Sequence, residues 1–136
     1  MSFESGILID RVAYQRARAE LGSAFVRLLG YLREDGLKSL SVLEEALRAD
    51  NAAAMVIPAH TLKGEARQFG ADPLAVLAEK IEDHARACVE RRDSPSGAIE
   101  DVVALRPLFM RTLELLEREA NPLAQRRPAQ GFGRRG

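Results

Sequence analysis

The sequence predicts an all-α bundle of four longer helices with a short extra helix at the N-terminus. Three observations carry this prediction. Apolar residues recur at i, i+3, i+4 and i+7 along nearly the whole chain, the repeat of a helix with one buried face. No stretch alternates apolar and polar residues with the period of 2 that a half-buried strand needs. Proline, glycine, asparagine and aspartate fall between the periodic stretches, where turns and caps belong.

Residues 10–20 read as the short helix, with Asp10 as its N-cap and Val12 and Tyr14 pointing inward. A long helix follows from Gly22 to about Ala49. Phe25, Leu28, Leu29 and Leu32 begin its stripe, and Leu40, Leu43 and Leu47 resume it beyond Asp35-Gly36. The resumed stripe predicts one long helix, with Gly36 as the place where it could bend and two helices joined by a turn as the alternative. Asp50-Asn51 is a turn and cap signal. The third helix covers 52–69, with Met55, Ala59, Leu62, Ala66 and Phe69 as its apolar stripe. Pro58 inside it should remove a hydrogen bond and bend the chain. Gly70 matches a C-terminal stop, and Asp72-Pro73 matches an N-cap followed by proline at the first helical position. The fourth helix carries Leu74, Leu77, Ile81, Ala85 and Cys88 on one face and fades near Arg91-Arg92-Asp93. After a loop at Ser94-Pro-Ser-Gly97, the last helix covers 98–119. Its inward residues are Ile99, Val102, Leu105, Phe109, Leu113 and Leu116, with a kink expected at Pro107. Asn121-Pro122 ends it. The bundle thus occupies 8–120, and 121–136 is expected to be a disordered basic tail.

The 136 residues fit one domain, and 46% apolar with 29% charged content reads as globular. Aromatics are 5% and tryptophan is absent, so leucine, alanine, valine and isoleucine must build the core. A formal net charge of zero gives no bulk reason to expect a nucleic-acid partner. The zero hides an asymmetry. Four of the 20 basic residues (Arg126, Arg127, Arg134 and Arg135) lie in 121–136, which holds no acid, leaving 16 against 20 acidic residues elsewhere. Cys88 stands alone, so no disulfide can form within the chain, and a cytoplasmic location is expected. Ile7-Leu8-Ile9 is too short for a signal peptide, and no run approaches the roughly 20 apolar residues of a membrane span.

One turn of the third helix concentrates the chemistry. His60, Lys63, Gly64 and Arg67 are spaced at i, i+3, i+4 and i+7 and share a face beside the apolar stripe. Glycine costs a helix about 1 kcal/mol relative to alanine, and this one leaves bare backbone next to an imidazole. Imidazole has an unperturbed pKa near 6.5, so much of it is neutral and nucleophilic at neutral pH. Phosphoryl transfer depends mainly on positioning and on stabilising charge spread over the phosphoryl oxygens. Two cations and a gap suit that chemistry; the bland alternative is an exposed histidine beside ordinary surface charges. Other sites fare worse. His84 reads as a surface histidine, two histidines and one cysteine make no zinc spacing, and there is no Gly-rich nucleotide loop or Ser/His/Asp motif. The expectation is no cofactor and no metal.

The segment Ala59-His60-Thr61-Leu62-Lys63-Gly64-Glu65-Ala66-Arg67-Gln68-Phe69-Gly70-Ala71 resembles the signature of histidine-containing phosphotransfer (HPt) domains. The resemblance continues through Leu74, Ala78 and Ile81-Glu82 and takes in the upstream leucine pattern to Asp50. It implies an up-and-down antiparallel four-helix bundle with the active histidine exposed midway along one helix. By that resemblance, His60 accepts a phosphoryl group on Nε2 from a receiver-domain aspartyl phosphate and passes it to a second receiver aspartate. Lys63 assists the phosphoryl group, Gly64 opens the surface, and Glu82 hydrogen-bonds the imidazole, with a solvated helix charge as the alternative for Glu82. The resemblance also implies a phosphoryl carrier without kinase activity, acting as a monomer with receivers of response regulators or a hybrid histidine kinase. No membrane partner is expected, and magnesium would belong to the receiver. The docking surface should surround His60 and include parts of the second helix. Two further readings remain: a docking module that has lost phosphotransfer, and a dimeric histidine phosphotransferase. Two residues depart from the family pattern. Glu65 stands where small residues are usual, and is expected to pair with a cation or to tune partner choice by repulsion. Pro58 lies two residues before the histidine.

Overall fold

Five α-helices account for most of residues 8–120, the part of the chain that the computed structural model describes. They are α1 (Arg11–Leu21), α2 (Phe25–Arg48), α3 (Ala53–Gln68), α4 (Asp72–Arg91) and α5 (Ile99–Ala120). Single 3-10 turns at Gly22–Ala24 and Pro95–Ala98 lead into α2 and α5. No strand occurs among the described residues, and no helix there is long and apolar enough to cross a membrane. The predicted tail at 121–136 lies outside the described residues.

Short connections force α2, α3 and α4 to pack as antiparallel neighbours. The fifth helix packs against both α4 and α2 and closes the ring, giving the up-and-down four-helix bundle. The predicted stripes meet inside it. Leu29, Leu32, Leu40 and Leu43 of α2 are buried with Met55 and Leu62 of α3, Leu74 and Ile81 of α4, and Leu105, Phe109 and Leu116 of α5. Ala59, Ala66, Ala78 and Ala85 are all fully buried, so little bulk separates α3 from α4, the two helices that carry the candidate site. Forked ion pairs tie α5 to α2 outside the core: Arg33 to Glu117 at 2.7 and 2.8 Å, and Arg106 to Glu44 at 2.9 and 3.0 Å.

The short first helix sits across one end of the bundle. Asp10 Oδ1 accepts from the backbone N–H of Val12 (3.0 Å) and Ala13 (3.2 Å), as expected of an N-cap. The backbone N–H of Asp10 donates to the Gly70 carbonyl at 2.8 Å, fastening α1 to the α3–α4 turn. Gly70 has φ +75°, and an added Cβ would come within 3.0 Å of Asp10 O and Tyr14 N. Both conformation and space demand glycine there. Beneath this contact Tyr14, Phe25 and Phe69 form an edge-to-face chain with centroids 5.6 and 5.4 Å apart.

Three expectations about local structure need correction. Val12 is 67% exposed, while Tyr14 and Ala17 are buried. Residues two apart on a helix lie about 200° apart around it, so Val12 and Tyr14 cannot both face inward. Ile99 is 49% exposed, because Ala98 takes the buried place at that end of the bundle. The fourth helix begins at Asp72 itself with Ala71 as N-cap, and no side chain caps it. Ala71 already accepts the first helical bond, from Ala75 N at 3.0 Å. The expectation of one long helix holds: α2 runs unbroken through Asp35-Gly36. Gly36 is buried, and an added Cβ would overlap the ring of Phe109. That glycine admits a neighbouring side chain and is not a break. The prolines do not interrupt their helices either: α3 continues through Pro58 and α5 through Pro107.

Candidate functional site

The face of α3 predicted to carry the chemistry points outward. Met55, Ala59, Leu62 and Ala66 are fully buried, and their stripe fixes the rotation of the helix. It leaves the His60 side chain 61% exposed. A Cβ built on Gly64 would meet nothing within 4 Å, so the gap one turn after His60 is real. Ile57, one turn before it, is 74% exposed.

Glu82 of α4 organises the site. It is only 3% exposed, which rules out the solvated-charge alternative, and it faces α3 across the bundle surface. Its Oε2 lies 3.0 Å from His60 Nδ1, and its Oε1 lies 2.8 Å from Lys63 Nζ. Arg86, one turn later on α4, donates to the same Oε2 from Nε at 3.0 Å and Nη2 at 2.8 Å. Burial pushes this carboxyl up, but hydrogen bonds from Lys63, Arg86 and His60 outweigh it and hold the pKa at about 2. An ionised carboxylate can only accept, so the imidazole presents Nδ1–H to it. In the neutral ring the Nε2 lone pair then points away from Glu82.

His60, Lys63 and Glu82 therefore meet as the sequence implied, with one difference. Lys63 does not stand free beside the imidazole: its amino group is held on Glu82, with the side chain 15% exposed. Arg67 does not join the cluster. Its Nη2 pairs with Glu79 Oε1 at 2.9 Å, and both side chains are largely exposed. Arg86 was missed by the sequence reading, although its position four residues after Glu82 is a helical ion-pair spacing visible in the sequence.

Glu65 contradicts the expectation of a cation partner. Its neighbour is the Asp35 carboxyl of α2. Burial first, then the charge and hydrogen bonding of Asp35, raise Glu65 to about 7. Its Oε1 is buried without a hydrogen-bond partner. His84, expected at the surface, is half-buried with Nε2 enclosed near Gly97. Among the described residues, no three His, Cys, Asp or Glu side chains gather as metal ligands would.

Comparison with known proteins adds to this geometry. The profile of the Hpt domain family matches residues 27–122. The fold is similar to the crystal structure of histidine-containing phosphotransfer protein B (HptB) from Pseudomonas aeruginosa PAO1. The two share a TM-score of 0.74 and 23% identity, covering 85% of this chain and 96% of that one. No curated protein sequence matched the chain. The family profile spans α3, α4 and α5 and most of α2, so the chain belongs to the Hpt domain family and functions as a phosphoryl carrier in histidine phosphotransfer.

Proposed function

We propose that His60 is the residue that carries the phosphoryl group, accepting it on Nε2 from a receiver aspartyl phosphate and delivering it to a second receiver aspartate. The observation that carries this is the Nδ1–Glu82 bond, which leaves the Nε2 lone pair exposed beside the open backbone at Gly64. In the forward step the Nε2 lone pair forms an N–P bond while the P–O bond to the donor carboxyl breaks, and that carboxyl leaves as carboxylate. Nδ1 keeps its proton. The ring gains positive charge as the N–P bond forms, and Glu82, 3.0 Å away, stabilises it. The return step reverses each change. Lys63 reaches the phosphoryl oxygens by turning on its flexible stem, and Arg67 contributes only long-range positive charge from its pair with Glu79.

Ile57 and Gly64 flank His60 on α3 and form the docking surface, together with the adjoining face of α2 around Asp35. The chain acts as a monomer: His60, Lys63, Glu82 and Arg86 all come from one chain whose four long helices close their own core. It has no kinase activity of its own, in keeping with a sequence that carries no Gly-rich nucleotide loop. Its place is the cytoplasm, in keeping with the lone, buried Cys88.

The test is to incubate the chain with a receiver domain carrying an aspartyl phosphate and follow acid-labile, base-stable label. Label is expected on the wild type and absent from His60→Gln. Label that persists in His60→Gln overturns the site, and a wild type that no receiver labels favours the docking-module reading.

A further inference from the structure

We infer that Arg86 is a positioning residue of the phosphotransfer site: a second counter-ion that keeps Glu82 ionised, and so holds the Nδ1 proton in place, when Lys63 leaves Glu82 for the phosphoryl group. The inference rests on His60 being the phosphoryl carrier.

Three groups face Glu82, from the two helices that enclose it: His60 and Lys63 from α3, and Arg86 from its own α4. The carboxylate is 3% exposed, and a buried charge is costly unless it is paired. At rest its two oxygens are divided. Lys63 holds Oε1 at 2.8 Å, while Oε2 receives His60 Nδ1–H and both Arg86 donors. The division matters as a phosphoryl group approaches Nε2, before the N–P bond forms. Lys63 lies one turn from His60 on the same helix, and its ammonium is a mobile point charge that a phosphoryl dianion attracts. Once it turns, Oε1 loses its partner.

With no second cation, Glu82 has two ways to relieve that loss. It can keep Lys63 and deny it to the phosphoryl group. Alternatively, it can take up a proton, and a protonated carboxyl can donate to Nδ1. Donation moves the ring proton to Nε2 and removes the lone pair that the chemistry uses. Arg86 blocks both outcomes. Its guanidinium binds Oε2 through two N–H groups, and it is tethered one turn along α4. Its hydrogen bonds go to Glu82 Oε2 and none goes to His60, so its effect passes through Glu82. Its side chain is 56% exposed, so truncating it opens no hole in the core.

The test uses the full chain, with potassium phosphoramidate as a partner-free phosphoryl donor. Ring 15N shifts of unphosphorylated His60 report the tautomer, and 31P spectra follow phosphohistidine formation. Arg86→Ala is expected to raise the Nε2–H fraction and slow phosphorylation by roughly tenfold, the size typical of losing a group that orients a reacting side chain. Arg86→Lys, which keeps the charge, should restore most of both. In a Lys63→Ala background the tautomer change on Arg86→Ala should grow, because each cation covers for the other. A tautomer ratio and rate within twofold of wild type in Arg86→Ala would overturn the inference. So would an equal loss in Arg86→Lys. If wild type takes no label at His60, the carrier assignment fails instead, and the 15N readout still decides the role of Arg86 toward Glu82.

Discussion

Three glycines stand inside the long helices, and two of them do opposite things. Gly36 of α2 is buried, and the ring of Phe109 occupies the space its side chain would need. Gly64 of α3 faces outward, and a Cβ there would meet nothing. Each costs its helix about 1 kcal/mol relative to alanine. At Gly36 the cost is recovered inside the molecule, as contact between α2 and α5. At Gly64 none of the described residues recovers it, and on the proposed function the benefit comes when a partner approaches His60. Gly30 of α2 is equally open, so an unpacked helical glycine points to function only where, as at Gly64, a reactive side chain stands one turn away.

Breaking the packed glycine should have the largest effect. Gly36→Ala forces the fully buried Phe109 ring to move, and overpacking of this kind costs about 3 kcal/mol. Urea denaturation should show a lower midpoint. Phe109→Leu in the same chain should return part of the loss, and failure to do so would mean that the ring is not what Gly36 accommodates.

A smaller effect should appear beside the open glycine. Glu65 has a folded pKa of about 7 against an ordinary value of 4.5. Below 4.5 folded and unfolded chains both hold the proton, and the carboxyl does not distinguish them. As pH climbs toward 7 the folded state loses stability, because the unfolded chain gives up its proton first. Glu65→Gln should therefore leave stability unchanged near pH 4 and raise it by about 2 kcal/mol above pH 8, allowing for solvent screening. A gain of the same size at both pH values would remove Asp35 repulsion and burial as the cause.

The smallest change in stability should come from the open glycine itself. Gly64→Ala should stabilise the fold by up to about 1 kcal/mol, seen as a higher thermal midpoint, while slowing transfer from a phosphorylated receiver. Gly64→Leu should slow transfer further with the fold intact. Transfer at the wild-type rate in Gly64→Leu would end the contrast between the two glycines.

Much of this was legible in the sequence, for identifiable reasons. The stripes of α2 to α5 are strong 3.6-residue repeats, and burial follows them almost residue by residue. The outward face of α3 follows from the same repeat, which is why His60 and Gly64 landed where expected. Val12 failed because α1 is short and offered too few apolar residues to outvote a single valine. The continuous helix through Gly36 was legible, but the reason for a glycine there was not, because it depends on Phe109, a residue brought to it only by closure of the bundle. The Glu65–Asp35 contact is also tertiary: spacing within one helix says nothing about which charge the next helix brings. Glu82 was reached through the family resemblance, whereas Arg86 was one helical turn further on and available to anyone who asked what Glu82 would need.

The clustering of charge on Glu82 has a consequence for the loaded protein. Counting the imidazole as the neutral nucleophile that the proposed transfer requires, Lys63 and Arg86 against one carboxylate give the site a formal charge of +1. On the proposed transfer the phosphoryl group brings two negative charges at full ionisation and the ring gains one positive, so the sum falls to zero. The loaded site is electrically quiet where an isolated phosphate would repel. An acidic acceptor pocket can then close over it without working against like charge, and the same patch can receive one partner and release to another.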